Sequence, residues 1–193
     1  MSFFGPRLPA PPARPSYRNP EWIEAPQNVV PASVALDVPL VRRPDLALWI
    51  AGGLAFPSGL SFDMHAVATG ARAAPFLGLG NGSDPRVGVL LGDGRKVPTR
   101  PLRDLRPFLR RPDEPVLRWV RAGGSDRRSQ ASFWLWPLPP PGPLTFVCAW
   151  AEEGVEETRG SVDSERIRAA AGLAVEAWPD ERPLAPSEDE VVI

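Results

Sequence analysis

The sequence predicts an all-β protein with one helix near its C-terminus, and three observations carry that prediction. The chain of 193 residues contains 26 prolines and 17 glycines. This content excludes a helical bundle, because each internal proline removes a hydrogen bond and clashes one turn back. From Ser33 onward, short segments with a two-residue apolar period follow one another. Turn signals such as Asp93-Gly94 separate them. We expect an antiparallel β-sandwich, immunoglobulin-like or jelly-roll-like, with a small β-barrel as the alternative.

The alternation is clearest in two segments, and both predict strands with one buried face. The apolar positions are Val34, Leu36, Val38 and Leu40 in the first segment, and Leu60, Phe62, Met64 and Ala66 in the second. Pro39 lies inside the first segment, which favours an edge strand or a bulged strand. Further strands are predicted around residues 46–50, 86–91, 116–121, 129–136, 144–150 and 155–162.

The predicted organisation has three parts. Residues 1–32 hold eight prolines and are typical of an extended arm, in which Trp22 can attach the arm to the domain. Residues 33–178 form the β domain. It closes with a helix over 164–178, for which Asp163 or Ser164 provides the N-cap and Trp178-Pro179 the end. Residues 179–193 form an acidic tail, which we expect to be flexible.

Composition excludes several classes of protein. No apolar stretch reaches the length of a membrane span, and the first residues lack the pattern of a secretion signal, so we expect a cytoplasmic location. Cys148 is the single cysteine, which excludes an internal disulfide and a cysteine-based zinc site. Arginine accounts for all basic residues except Lys96, which is typical of GC-rich codon usage.

The net charge of −1 hides a segregation of charge along the chain. Residues 95–128 carry 11 bases against 4 acids, whereas residues 129–193 carry 4 arginines against 12 acids. The two blocks can neutralise each other within the fold, or the basic block can face an anionic partner. Because the blocks are nearly equal and opposite, we favour neutralisation within the fold.

Candidate catalytic groups are few. Cys148 with the single histidine, His65, is the only thiol–imidazole pair, but Cys148 alternates in step with core positions and is expected to be inert. His65 shares the polar face of its strand with Asp63, which leaves a hydrolase-like site at these two residues as the enzyme alternative. The carboxylates at residues 152–157 are more typical of a solvated loop. No phosphate-binding loop is present, and we expect no metal or cofactor.

The aromatic residues around Trp134 and Trp136 are more informative. Both faces of this strand are apolar, so either something covers its outer face or the two indoles offer a platform for a ligand. We favour a cover formed by the arm, the helix or a loop. The alternative is a binding surface that comprises Trp134, Trp136, Trp22, Arg118 and Arg121. Residues 137–143 (PLPPPGP) are predicted to be a stiff connector, with recognition as a polyproline-II ridge as the alternative.

The segment WLWPLPPPGPLTF, residues 134–146, resembles a group of uncharacterised proteins from high-GC bacteria. Three further stretches share the resemblance: LAL at 46–48 with FPSGLSF at 56–62, Asp93-Gly94-Arg95, and the alanine-rich helix with Trp178-Pro179. The resemblance covers roughly residues 28 to 180. It implies no activity, ligand or catalytic residue.

The sequence therefore predicts a non-catalytic intracellular protein that acts by binding. We expect a protein partner and no nucleic-acid partner, because the chain as a whole is not basic. The alternatives are a hydrolase-like enzyme at His65 and Asp63, and a small-molecule or glycan binder at Trp134 and Trp136. The fold class alone does not choose between them.

Overall fold

A computed structural model of the chain describes residues 19–69, 85–100, 111–125 and 127–177. Most of the predicted arm, residue 178 and the predicted acidic tail lie outside these ranges. The described ranges contain eleven strands, one α-helix and one 3₁₀ turn, Ala151–Glu153. The elements are β1 (Val29–Val30), β2 (Ala32–Arg42), β3 (Leu46–Phe56), β4 (Gly59–Ala68), β5 (Arg86–Leu90), β6 (Lys96–Arg100), β7 (Val116–Gly124), β8 (Arg128–Trp136), β9 (Pro143–Trp150), β10 (Val155–Asp163), α1 (Ser164–Ala171) and β11 (Val175–Glu176).

Nine of these strands form one sheet in the order β10-β9-β5-β6-β7-β8-β4-β3-β2. Neighbouring strands are antiparallel, except for β6 and β7, which are parallel. The remaining two strands, β1 and β11, pair with each other. The prediction of an all-β fold with one helix is confirmed. The architecture is the alternative named above, because a single, nearly closed, barrel-like sheet takes the place of a two-sheet sandwich.

The sheet curls because its longest strands are bulged and because β6 and β7 join what would otherwise be two sheets. Register shifts interrupt β2 twice, near Asp37 and Pro39, and interrupt β3 between Ile50 and Gly53. Such bulges bend a strand and increase its twist. The curl brings Phe62 of β4 into edge contact with Phe146 of β9, with ring centroids 5.0 Å apart. These strands are far apart in the sheet order, so their contact crosses the interior of the barrel.

The two end strands, β2 and β10, meet at a seam that is closed by side-chain packing. Gly160 of β10 lies so close to Val38 of β2 that a Cβ at this position would collide with the valine side chain. The same Cβ would lie 3.3 Å from the carbonyl oxygen of Pro39. Glycine therefore permits the close approach of the two strands at the seam.

The predicted alternation selects the residues that face the interior. Leu60, Phe62 and Met64 of β4 are buried. Asp63 and His65, at alternate positions of the same strand, are half-buried on the outer face. The same holds for β2, whose four predicted apolar positions are buried. Helix α1 adds Ile167, Ala170 and Ala171 to this core. The barrel interior is therefore filled by side chains.

The predicted helix begins where expected but is shorter than predicted. Asp163 is the N-cap, and its carboxylate accepts a hydrogen bond of 3.0 Å from the amide of Glu165. The helix ends at Ala171, and Val175–Glu176 is a strand that pairs with β1, so the prediction of helix over 164–178 is wrong for this part. Gly172 follows the last helical residue, and glycine is a poor helix former. In the described ranges, no helix has the length and apolar character needed to cross a bilayer.

The proline-rich segment 137–143 connects β8 to β9 and packs under the helix. Ser164 donates its hydroxyl to the carbonyl oxygen of Pro140 at 2.5 Å, and Arg168 donates to that of Pro139 at 3.2 Å. The backbone of Gly142 lies against Gly92 in the β5–β6 turn. The contacts support the connector interpretation, since two backbone carbonyls of the segment are bound within the fold.

Candidate functional site

The outer face of the sheet has two distinct regions, and one of them is covered. Residues 19–31, here called the N-terminal segment, fold back over β7 and β8. Trp134 is fully buried, and its indole Nε1 donates a hydrogen bond of 2.7 Å to the carbonyl oxygen of Glu21. Trp22 meets Trp136 edge to face, with ring centroids 6.2 Å apart. The interpretation in which the arm covers this face agrees with these contacts, and residues 19–31 are part of the fold rather than of an extended arm.

We call this covered region the tryptophan cluster; it comprises Phe56, Val116, Trp134 and Trp136, with Trp22 and Ile23 packed on them. Gly59 makes room for it, since a Cβ at this position would lie 2.7 Å from the ring of Trp134. Trp136 is 6% exposed, and Arg111 stands over its ring with the guanidinium carbon 5.4 Å from the centroid. The two predicted platform residues, Trp134 and Trp136, therefore have no open ring face for a ligand while the N-terminal segment is docked.

Arg118 belongs to the same covered region. Its side chain is buried beneath the N-terminal segment and donates a hydrogen bond from Nη1 to the carbonyl oxygen of Ile23. Burial lowers the pKa of Arg118 below its ordinary value, and the nearby charge of Glu24 acts in the opposite direction. Of the predicted binding residues, Arg118, Trp22, Trp134 and Trp136 are thus engaged in holding the segment in place.

Arg121, the fifth predicted binding residue, lies in the open region of the outer face. Its Nε donates a hydrogen bond of 3.1 Å to the hydroxyl oxygen of Ser132, and Ser132 donates one of 2.6 Å to Asp63. Ser132 is only 5% exposed, whereas Arg121 is exposed. Strand pairing brings the three side chains together, because Ser132 lies opposite both Asp63 and Arg121. The guanidinium is therefore held in one orientation at the surface.

His65 lies one position further along the same face of β4. Its ring stacks on that of Trp49 from β3, with centroids 5.2 Å apart and planes inclined by 14°. On its other side, His65 is paired with Gln130 of β8. The structure thus joins His65, Asp63 and Arg121, which the sequence had placed in two different hypotheses, on one continuous surface.

Two hollows flank Arg121 on this surface, and we call them together the outer groove. The first, of about 470 Å³, is lined by His65, Gln130, Ser132, Arg121, Arg128 and residues 122–125 at the end of β7. The second, of about 500 Å³, extends over β2, β3 and β4 and is lined by Ser33, Leu54, Ser61, Asp63 and Arg121. Both hollows are open to solvent along one side. The groove therefore offers a cation, the ring of His65 and amide and hydroxyl groups along a path that crosses five strands, β2, β3, β4, β8 and β7.

The geometry supports binding at the outer groove better than catalysis. A serine nucleophile requires a base that accepts its proton and an accessible Oγ. Ser132 is buried, donates its hydroxyl hydrogen bond to Asp63 and accepts a hydrogen bond from Arg121. Asp63 is thereby engaged with Ser132, two positions along β4 from His65. Among the described residues, no three histidine, cysteine or acidic side chains are grouped so that they could hold a metal ion.

Cys148 is in the barrel core, as its alternation predicted, and burial raises the pKa of its thiol from 9.0 to about 12. Native protein should therefore resist thiol reagents at pH 8, where only unfolded chains react. Between about pH 9 and 12, the unfolded thiol ionises while the folded one keeps its proton. We expect the free energy of unfolding to be unaffected by this group below pH 9. Above pH 9, ionisation of the thiol in the unfolded chain should lower the free energy of unfolding by about 1.4 kcal/mol per pH unit.

This expectation is measured by urea unfolding at several pH values, with Cys148→Ala as the control. The difference between the two proteins isolates the thiol from other groups that titrate at high pH. A Cys148→Ala variant with the same slope above pH 9, or rapid labelling of the native thiol at pH 8, would contradict a buried thiol.

Sequence reasoning missed three residues at the outer groove: Gln130 and Ser132, which line it, and Trp49, which stacks on His65. Each occupies an outward position of a predicted strand, so the alternation could have shown that they share a surface with His65 if the strand order had been known. The comparisons with known proteins add no further residue. No family model, curated protein or solved structure matches this chain.

Proposed function

We propose that the chain is a non-catalytic binding protein and that the outer groove is its contact surface for a protein partner. The observation that carries the proposal is the exposed guanidinium of Arg121, which Ser132 and Asp63 orient between two open hollows. A cation held in one orientation loses less conformational freedom when it binds than a mobile one. The cytoplasmic location and the resemblance to proteins of high-GC bacteria stay predictions from the sequence.

The shape of the groove favours a macromolecular partner over a small molecule. Sites for small ligands are concave and bury most of the ligand surface. The two hollows here are open and follow the outside of the barrel, whose interior is filled by core side chains. An extended segment of another protein can lie along such a groove and contact both hollows at once.

The enzyme and glycan alternatives have weaker support. Asp63, which would have to orient His65 in the enzyme alternative, is bound by Ser132. Trp134, which would have to stack on a sugar in the glycan alternative, is covered by the N-terminal segment. Preparations of the His65→Ala variant and of the unsubstituted protein should accordingly show the same hydrolase activity. Any such activity would come from a contaminant and not from a site at His65.

Site-specific photo-crosslinking in cells that express the protein naturally tests the proposal. A photoreactive amino acid at position 130, inside the outer groove, should form an adduct with one protein. The same amino acid at position 147, on the outer face of β9, should not form that adduct. An Arg121→Glu substitution in the position-130 protein should remove the adduct. Equal adducts from positions 130 and 147, or no adduct from position 130, would overturn the proposal.

A further inference from the structure

The chemistry of Arg121 specifies the group that the outer groove receives. A guanidinium presents five N–H donors in a planar fork that matches a carboxylate with two parallel hydrogen bonds. Ser132 occupies the Nε donor, and in the described part of the chain the terminal Nη1 and Nη2 have no hydrogen-bond partner. The donors that remain are those that bind a carboxylate in a fork. Their orientation is set by the contact with Ser132 before any ligand arrives.

The charges around the groove favour a single carboxylate over a polyanion. Among the described residues, the charged side chains that line the two hollows are Arg121, Arg128 and Asp63, and His65 is the other titratable group there. Asp63 lies one hydrogen-bonded hydroxyl away from Arg121, so a ligand with several closely spaced negative charges would be repelled by it. One ligand carboxylate next to Arg121, together with Asp63, balances the positive charges of Arg121 and Arg128.

Nucleic acid fits the outer groove less well than a single carboxylate does. Asp63 repels closely spaced phosphates, and two further observations point the same way. Phosphate backbones are bound by several cations along a track, with bases stacked on exposed aromatic rings. Three of the described arginines of the basic block are engaged elsewhere in the fold: Arg95 pairs with Asp93, Arg111 lies over Trp136, and Arg118 is buried. The tryptophan cluster is covered, so its indoles cannot stack on bases.

The walls of the groove provide apolar contacts on both sides of Arg121. Leu54, which is 42% exposed, lines the second hollow, and His65, whose ring stacks on Trp49, lines the first. Side chains of an extended peptide alternate in direction, so apolar residues two positions before and two positions after an acidic residue point the same way as it does and can reach both walls. A peptide of this kind would bury the exposed leucine and part of the His65 ring, which adds apolar burial to the ion pair.

We propose that the outer groove recognises an extended acidic peptide, in which an aspartate or glutamate side chain binds Arg121 and apolar residues two positions away on either side lie against Leu54 and against His65 of the Trp49–His65 stack. This inference rests on the proposed function, for which it names the class of partner. It makes Arg121 the residue that determines specificity for acidic over neutral segments.

The test uses capped peptides and the full chain, followed by NMR. The probe Ac-Leu-Ser-Glu-Ser-Leu-NH₂ is titrated against its Glu→Gln counterpart, with the Arg121 Nε–H and the Gln130 side-chain amide as reporters. We expect saturable shifts at both reporters for the acidic peptide. The neutral peptide should bind at least about tenfold more weakly, which corresponds to about 1.4 kcal/mol.

Matched variants assign the effect to one side chain. Arg121→Gln should weaken binding of the acidic peptide at least about tenfold, and Arg121→Lys should weaken it less, because lysine keeps the charge but loses the fork. Arg159→Gln is the control, since Arg159 is an exposed arginine on β10 that pairs with Glu157. Thermal unfolding of each variant verifies that it is folded.

Equal affinities for the acidic and neutral peptides, undiminished binding by Arg121→Gln, or no binding at about 1 mM peptide would overturn this inference. So would a short single-stranded oligonucleotide that binds through Arg121 more tightly than the peptide does. The acidic-peptide inference can fail while the proposed function stands. A crosslinked partner whose contact segment is neutral would overturn the inference and leave the groove as the contact surface.

Discussion

Replacement of Trp134 by alanine is expected to lower the free energy of unfolding by about 3–5 kcal/mol, the range typical of a buried aromatic side chain that is truncated. Trp134 is fully buried between the sheet and the N-terminal segment, where it contacts Phe56 edge to face and donates a hydrogen bond to Glu21. Its removal leaves a cavity and an unpaired carbonyl group. Chemical denaturation measures the loss, and hydrogen exchange should show that the amides of residues 19–31 lose protection.

Trp49→Ala provides the matched control for this experiment. Trp49 is also a tryptophan on the outer face, but it is half-buried and stacks only on His65, so its truncation should cost about 1 kcal/mol. A further variant, Trp134→Phe, keeps a ring in place and should retain most of the stability. If Trp134→Ala cost no more than Trp49→Ala, the N-terminal segment would not be a stabilising cover of the sheet.

Substitution of Gly160 by alanine is expected to destabilise the fold by about 1–3 kcal/mol, because the added methyl group overpacks the seam between β2 and β10. The new Cβ would collide with the side chain of Val38, which is buried and, as a β-branched residue, has few rotamers to move into. The same Cβ would lie 3.3 Å from the Pro39 carbonyl oxygen, so residue 160 cannot relieve the collision by a shift toward Pro39. Urea denaturation gives the change in the free energy of unfolding.

Gly123→Ala is the control for the seam, since a Cβ at position 123 has no neighbour within 4 Å. It should be neutral or slightly stabilising, because alanine reduces the conformational freedom of the unfolded chain. A second variant, Gly160→Ala with Val38→Ala, removes the collision and should recover part of the loss. Equal stability of the Gly160→Ala and Gly123→Ala proteins would show that the seam is loosely packed.

The packing of the barrel restricts where this protein can bind anything. Phe62 stacks on Phe133 and contacts Phe146 edge to face inside the barrel, so the interior is occupied. Of the described outer face, the part over β7 and β8 is covered at the tryptophan cluster, and the part over β4 and β8 is open at the outer groove. The outer groove is therefore an open surface, whereas the barrel interior is occupied.

The residues that face inward follow from the amino-acid sequence alone, because the alternation of side chains along a strand is a local property. Phe62 and Met64 were assigned to the core on that basis, and Asp63 and His65 to the polar face; the structure agrees for all four. Cys148 could be placed in the core for the same reason. The cap at Asp163 was also predictable, since capping involves only adjacent residues. Beyond the cap, Gly172 and the pairing of β11 with β1 overrode the helical spacing that continued to residue 178.

Only the tertiary structure decided whether the sheet closes, which tryptophans are covered and where Arg121 points. Each of these depends on contacts between residues that are far apart in the sequence, such as Ser132 with Asp63 or Trp134 with Glu21. Periodicity shows that a side chain points outward, but strand order and register determine what lies beside it. The candidate residues therefore came from the sequence, and their division into a covered cluster and an open groove came from the pairing of strands.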